Sequence, residues 1–401
     1  MINKNNVSRA EQSRAEQIFF VLSIINIIIM VLMILNSKGK IIDAMTYGES
    51  NFVDFWAHIE RLLTRDNVYT DADAIFPPLL YCFLKLFSTP LSYKLSLGMT
   101  ITEIATSGFG ILVLAVYLLF FYALFTLAVS LLYKTTDNVK KNILTFLLLF
   151  SYPFLGCAFE RGNPVIYAMV FLMLGIALKD SKNVIFRELS LICVAVSAGF
   201  KLYPALFGFI WIAEKRYKEA FRMIIYGLIA FFVPFIFVGN FSSYVETFFM
   251  YLNKNMYSKT SVWGSCFLIF GDNEHTQILC RVIIIMLIVW VILCLLINGV
   301  NWKTIALLTS TQTMIIPESY VYTYVFIAIP LIMFFNENGK RRIDNVYAVL
   351  FALVFTIPPF LEIQSAVLIG IYISWVLLLF LISIDELIVL RKKIAENRLK
   401  R

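Results

Sequence analysis

Long apolar segments recur along almost the whole chain, and they leave few folds open to it. A helix that crosses a bilayer needs about 20 apolar residues, and shorter helices are accommodated inside a packed bundle. Twelve spans are predicted on this basis: 18–36, 109–133, 143–158, 164–178, 186–200, 203–213, 222–239, 277–298, 303–316, 320–335, 345–360 and 366–390. The sequence therefore predicts an all-α polytopic membrane protein with a bundle of about 12 transmembrane helices.

The composition excludes the main alternatives. Hydrophobic residues make up 60% of the chain and charged residues only 15%, whereas soluble domains carry about 25% charged residues. The net charge of +8 comes from short basic clusters between apolar segments, a pattern that favours membrane orientation over nucleic-acid binding. The six cysteines form no CxxC pair, so neither a zinc site nor a disulfide framework is predicted.

The basic clusters also predict the orientation. With the N-terminus inside, most Lys and Arg residues fall on the inner side, as the positive-inside rule requires. Both termini are then cytoplasmic, with an inner tail at 1–17 and a basic inner tail at 391–401. The outer loops are 37–108 and 240–276. No further domain is visible, so 1–401 is predicted to be one integral membrane domain. The lack of a cleavage signal at the first span and the short loops between most spans suggest a bacterial plasma membrane.

The first outer loop contains its own helical pattern. Its large apolar side chains recur at the spacing of one helical face: Phe52, Phe55, Trp56, Ile59, Leu62 and Leu63. We expect an amphipathic helix over 51–65 on the outer membrane surface, with Asp54, His58, Arg61 and Arg65 on the opposite, solvated face. His58 either orients Asp54 or is merely solvated, and the solvated position is favoured. The apolar run 76–87 is too short for a span and predicts a re-entrant or interfacial helix that begins at Pro77-Pro78.

Polar groups gather at the predicted outer ends of the spans, where charge is costly and often functional. Asp54, early on the amphipathic helix, is either a solvated carboxylate or a partly desolvated general base. Arg161 and Asn163 lie in a turn that either only reverses the chain or binds an anion at a helix N-terminus. Lys201 is either a snorkelling residue or a second cation for that anion. The pair Asp71 and Asp73 is weak evidence for a metal. No cofactor and no dedicated metal site are predicted, and a divalent metal is left open.

Six segments in chain order resemble glycosyltransferase family 87 of the GT-C superfamily, between about residues 50 and 335. They are Val53-Asp54-Phe55, Asn67-Val68-Tyr69, Ile75-Phe76-Pro77-Pro78-Leu79, Arg161-Gly162-Asn163, Lys201-Leu202-Tyr203-Pro204 and Pro317-Glu318-Ser319-Tyr320. Three departures are visible. Tyr322 and Thr323 stand where the family usually has histidines, Asn163 stands where Gln is commoner, and Asn67 stands where the family usually has Gly.

The resemblance implies a GT-C-like bundle that transfers a mannose-like hexose, with inversion, from a polyprenyl-phosphate sugar. The acceptor is a glycan or glycolipid at the outer face, so the expected partners are donor, acceptor and membrane lipid, without nucleic acid. Asp54 is the expected base. The donor phosphate is assigned to Arg161, Lys201 and Asn163. Contacts to the sugar or acceptor are assigned to Trp56, Glu160, Tyr203, Glu318, Tyr320 and Tyr322.

Two other functions remain open from the sequence. A polysaccharide polymerase of the O-antigen type also has about a dozen spans and a large outer loop, and it uses a polyprenyl-diphosphate oligosaccharide. A lipid-glycan flippase or transporter is the alternative from another class. Transporters usually place polar sites near the midplane of repeated halves, whereas the polar groups here lie at outer span ends. That distribution favours an enzyme.

Overall fold

The computed structural model describes residues 4–38, 52–71, 73–252, 257–258, 261–317, 320–337, 341–355 and 364–399, and in these ranges every regular element is a helix. The α-helices up to residue 200 are Lys4–Asn36, Val53–Thr64, Pro78–Ser88, Ser92–Ser96, Ile101–Thr106, Gly108–Leu132, Asn138–Leu149, Val165–Leu178 and Val184–Phe200. Those that follow are Phe209–Ala213, Tyr217–Phe232, Phe235–Val238, Phe241–Leu252, Val262–Phe270, Glu274–Asn298, Trp302–Ser310, Ala328–Asn336, Ile343–Phe355 and Gln364–Leu399. There are 3₁₀ segments at Thr89–Leu91, Tyr203–Gly208 and Val321–Ile327, and π segments at Tyr152–Phe159 and Thr311–Ile315.

The number of membrane-crossing helices differs from the prediction. Among the described residues, five helices are long and apolar enough to cross a membrane, or six if one pair bent by 50° counts as a span. A polytopic membrane protein is therefore supported, but the count of twelve is not confirmed. A helix or a pair of helices lies at each predicted span. Several of these are too short to cross alone: Val165–Leu178, with 14 residues, rises about 21 Å against the 30 Å of a bilayer core.

Proline explains several of the interruptions. It lacks the N–H that a helix interior needs, and its ring clashes with the preceding turn. Pro153 lies at the start of the π segment Tyr152–Phe159, and Pro204 lies at the start of the 3₁₀ segment Tyr203–Gly208. Pro234 separates Tyr217–Phe232 from Phe235–Val238. Apolar runs that read as single spans are therefore broken helices.

The helix Val165–Leu178 forms the centre of the bundle and is buried along nearly its whole length. It packs between Gly108–Leu132 and Val184–Phe200. Two serines of the latter helix bond its backbone: Ser190 donates to the Gly175 carbonyl at 2.6 Å and Ser197 to the Ala168 carbonyl at 2.6 Å. Small residues with satisfied hydroxyls let helices approach closely where no water is available.

The helices Val165–Leu178 and Val184–Phe200 extend from a basic end of the bundle to the end that carries the candidate site. Val165–Leu178 begins two residues after Asn163 and is followed by Lys179. Val184–Phe200 is followed by Lys201. At the basic end, Lys179 pairs with Glu214 at 2.5 Å and Arg216 pairs with Asp180 at 3.0 Å. Part of the basic cluster is thus neutralised locally, and the candidate site lies at the opposite helix ends.

The helix Val53–Thr64, called the loop helix below, lies within the range 51–65 predicted to be amphipathic. Its apolar side contributes the buried Phe55 and Ile59. The expectation for His58 was wrong: its side chain is only 4% exposed. The loop helix packs on Pro78–Ser88, and the Tyr81 hydroxyl of that helix is 3.4 Å from His58 Nδ1. The polar side of the loop helix is therefore covered by protein at His58.

Candidate active site

Asp54 is held by the turn 160–163, which lies more than a hundred residues away in sequence. Arg161 binds its carboxylate through two atoms, with Nε donating to Oδ2 at 2.8 Å and Nη2 to Oδ1 at 2.6 Å. Asn163 Nδ2 donates to Oδ2 at 2.7 Å. The bidentate arginine fork is the strongest and most directional of the common ion-pair geometries. Arg161 and Asn163, two of the three residues that the sequence assigns to an anion, thus bind Asp54, the predicted base.

The backbone fixes the same arrangement. The N–H of Asp54 donates to the Arg161 carbonyl at 3.0 Å, and the N–H of Phe52 donates to the Glu160 carbonyl at 2.6 Å. The first N–H groups of a helix have no partner inside it, so the turn satisfies donors that the loop helix leaves open. Asn163 also accepts the N–H of Val165 through Oδ1 at 2.9 Å, which satisfies one of the first donors of the helix Val165–Leu178.

Gly162 is required by both its conformation and its surroundings. Its φ of +62° lies in the left-handed region that L side chains rarely adopt. A Cβ at this position would come within 2.8 Å of the Phe55 Cβ. Phe55 is fully buried and packs on Tyr117, with ring centroids 4.7 Å apart. The loop helix can lie this close to the turn only because residue 162 is glycine.

A cavity of about 920 Å³ opens beside this pair of elements. Seven of the ten residues assigned to the site from the sequence line it: Asp54, Arg161, Asn163, Lys201, Tyr203, Tyr320 and Tyr322. Five of the six segments that resemble the family contribute to the lining, and the segment 67–69 does not. Residues from four distant parts of the chain are thereby brought to one enclosed space of the size usual for ligand sites.

Of the other three assigned residues, the structure describes two, and neither lines the cavity. Trp56 is half-buried against Phe55, with ring centroids 5.1 Å apart, and does not line the cavity. Glu160 is buried and contributes its backbone carbonyl to the turn rather than a side chain to the lining. Glu318 lies outside the described residues. The ring of Tyr320 lies 5.9 Å from that of Tyr322, so these two form an aromatic patch.

Lys201 also lines the cavity and comes from a different part of the chain than the turn 160–163. Its Nζ is 3.7 Å from the centroid of the Phe76 ring, a cation–π geometry. The Phe76 ring in turn contacts His58 edge to face at 4.7 Å. Burial, together with the positive charges of Arg61 and Lys201, lowers the pKa of His58 to about 3. His58 is therefore neutral at physiological pH and contributes no charge to the cavity.

Arg61 lines the cavity but was assigned from the sequence to the solvated face of the loop helix. Asp71 holds it through Nε at 3.3 Å and Nη2 at 3.2 Å, and Arg65 shares the same carboxylate at 2.5 Å. Partial burial raises the pKa of Asp71, but hydrogen bonds from Arg65 and Arg61 outweigh it and bring the pKa to about 2. A signal for Arg61 was present in the sequence, because residues 54, 57, 58 and 61 follow the spacing of one helical face.

This lining combines a carboxylate, several cations and stacked aromatic rings. A carboxylate at a cavity wall accepts a proton from a hydroxyl, cations stabilise a developing anion, and tyrosine rings contact sugar faces. The described lining residues therefore suit group transfer between a hydroxyl and an anionic leaving group.

Comparison with known proteins gives one match. The family model for glycosyltransferase family 87 matches residues 77–317, which is more than half of the 401-residue chain. The matched region contains Arg161, Asn163 and Lys201, and it begins after Asp54. No curated protein and no solved structure matches the chain.

Proposed function

Because the chain belongs to glycosyltransferase family 87 and is a membrane glycosyltransferase, we propose that it transfers a mannose-like hexose from a polyprenyl-phosphate sugar to a glycan or glycolipid hydroxyl. The reaction takes place at the outer face of a bacterial plasma membrane and inverts the anomeric configuration. The observation that supports this most directly is the cavity, which is lined by Asp54, by Lys201 and by other residues of the segments that resemble the family.

The reaction follows from the residues that line the cavity. Asp54 accepts the proton of the acceptor hydroxyl while the hydroxyl oxygen attacks the anomeric carbon. The bond from that carbon to the phosphate oxygen breaks, and polyprenyl phosphate leaves with the electron pair. Lys201 stabilises the negative charge that develops on the leaving phosphate. Tyr320 and Tyr322 contact the sugar rings.

Arg161 and Asn163 act in this mechanism mainly through Asp54. A carboxylate offers about four acceptor positions, and these two residues occupy three of them. One position is left for the acceptor hydroxyl. The three bonds fix the orientation of the carboxylate, and a fixed base needs no reorganisation when the substrate arrives.

The outer-face location is supported by the distribution of charge. The cavity lies at the helix ends opposite to those with Lys179, Lys182 and Arg216. Basic residues concentrate on the cytoplasmic side of membrane proteins, so the cavity belongs to the other side. A lipid-linked donor is consistent with a site at helix ends.

The experiment that tests the proposal is a transfer assay on purified protein in lipid. The donor is a radiolabelled polyprenyl-phosphate hexose and the acceptor is a membrane glycolipid extract. We expect transfer by the wild type and a loss of about 10³-fold in Asp54→Asn, with donor binding retained. Glu60→Gln, an exposed acid on the same loop helix, is the matched control and should keep wild-type activity.

Two results would overturn the proposal. Full activity of Asp54→Asn at an unchanged melting temperature would exclude Asp54 as the base. Elongation of a polyprenyl-diphosphate oligosaccharide, without transfer from any of several monosaccharide donors, would identify a polymerase instead.

A further inference from the structure

We infer that Arg61, together with Lys201, forms the subsite for the phosphate of the donor, and that Arg161 is a positioning residue for Asp54 rather than a phosphate ligand. This inference rests on the proposed function. It changes the assignment that the sequence suggests, in which Arg161 itself contacts the phosphate.

The first step concerns the side of the sugar on which each group must lie. In an inverting transfer, the base and the leaving group lie on opposite sides of the anomeric carbon. Arg161 donates to Asp54 at 2.8 Å and 2.6 Å, so a phosphate bound to Arg161 would lie beside the base. It would also lie beside a carboxylate of like charge, which costs free energy in a partly buried site. The leaving phosphate therefore needs other cations.

The second step concerns distance. In inverting glycosidases the two acting carboxyl groups are about 6.5–9.5 Å apart. A cation that holds a phosphate contacts an oxygen farther from the sugar, so the required separation here is about 10 Å. Arg61 lies seven residues after Asp54 on the same loop helix, which is a rise of about 10 Å. The backbone positions of the base and of this cation are thus separated along one helix by about the required spacing.

The third step is that Arg61 is fixed and still has donors to offer. Its side chain is 12% exposed and lines the cavity. Asp71 engages Nε and Nη2, and His58 Nδ1 lies 3.4 Å from Nη1. Of its five N–H groups, two have no partner among the described residues. A planar guanidinium held on one edge and open on the other suits a phosphate oxygen.

The last step connects Arg61 to Lys201 along one wall. His58 contacts both Arg61 and the Phe76 ring, and Lys201 Nζ lies over that ring. Because Arg61 only donates, His58 Nδ1 accepts, and the neutral imidazole carries its proton on Nε2. This wall therefore presents two cations and a neutral donor. Asp73 also lines the cavity, so the subsite includes one opposing carboxylate.

The test measures the binding of polyprenyl phosphate without sugar to purified protein in detergent, beside donor kinetics. We expect Arg61→Gln to weaken the binding of polyprenyl phosphate about 10- to 100-fold, and Arg61→Lys to recover part of it. Arg161→Gln should keep wild-type affinity for polyprenyl phosphate and lose kcat. Arg65→Gln is the matched control, since Arg65 follows directly after the loop helix and shares Asp71 but does not line the cavity. It should bind like the wild type.

The outcomes separate this inference from the proposed function. If the wild type transfers hexose but Arg61→Gln binds polyprenyl phosphate as the wild type does, the subsite is wrong and the function stands. The same holds if Arg161→Gln is the variant that loses the lipid phosphate. If the wild type neither transfers hexose nor binds polyprenyl phosphate but binds a nucleoside diphosphate, the proposed donor itself is wrong. A melting temperature for each variant separates loss of contact from loss of fold.

Discussion

The ion pair between Asp54 and Arg161 shows how far a residue's role depends on its neighbours. Both residues are visible in the sequence as polar groups at the outer ends of spans, and each has an ordinary explanation on its own. Their pairing joins positions 107 residues apart, and no local pattern encodes it. The sequence predicts that Arg161 binds an anionic ligand, whereas in the structure Arg161 holds the carboxylate of Asp54, the proposed base.

His58 carries a prediction at the residue scale. Its pKa is lowered to about 3 by burial and by the nearby Arg61 and Lys201, against an ordinary value of about 6.5 in the unfolded chain. Between these values the unfolded chain binds a proton that the folded protein does not, so stability falls as the pH falls from about 6.5 toward 3. The slope approaches about 1.4 kcal/mol per pH unit.

The corresponding measurement is the melting temperature in detergent as a function of pH. We expect the wild type to lose stability more steeply than His58→Gln below pH of about 6.5. Gln supplies a neutral carbonyl acceptor for Arg61 and Tyr81, so the variant should be close to the wild type at pH of about 7.5. Parallel curves for the two proteins would show that His58 titrates normally.

At the scale of elements, the site is built where regular helices stop. The π segment Tyr152–Phe159 leads directly into the turn 160–163, and the π segment Thr311–Ile315 ends just before Pro317 of the cavity lining. Such π segments are rare and frequently occur at functional sites. The periodicity of the sequence predicted where helices lie but not these changes of winding, because apolar side chains suit an α-helix and a π-helix equally well.

The docking of the loop helix on the turn gives a prediction for Gly162→Ala. The left-handed φ and the approach to Phe55 should together cost about 2 kcal/mol or more. The loop helix would be displaced with its carboxylate, so we expect a lower melting temperature and a kcat at least about 10-fold lower.

Gly227→Ala provides the control for that substitution. Gly227 lies in the helix Tyr217–Phe232, and a Cβ there would meet no atom within 4 Å. Alanine is favoured over glycine in a helix by about 1 kcal/mol, so this variant should be as stable as the wild type or more so. A Gly162→Ala protein that kept full activity and stability would contradict the close docking of the two elements.

At the scale of the whole molecule, the opposed ends of the bundle predict an orientation that labelling can test. Glu60 is exposed on the loop helix and Lys182 is exposed at the basic end. A membrane-impermeant maleimide added to intact cells should label Glu60→Cys, and it should label Lys182→Cys only after permeabilisation. The native protein is the background control, because four of its six cysteines are buried and two are half-buried. The reverse labelling pattern would place the cavity in the cytoplasm.

The sequence alone predicts the features that depend on local periodicity and on the partition of each apolar segment into a membrane. The positions of the apolar helices, the helix within 51–65, the basic clusters and the family's segments all follow from residues close together in the chain. Hydrophobic burial acts on each segment separately, so these features are readable one segment at a time.

The tertiary structure decided which of these segments meet. It paired Asp54 with Arg161, buried His58, brought Arg61 to the cavity and left Trp56 and Glu160 out of the lining. It also divided several apolar runs into broken helices, so that among the described residues five or six helices are long and apolar enough to cross a membrane. The physical reason is that charges, hydrogen bonds and close contacts act between surfaces. Which surfaces face each other is set by the packing of the whole bundle.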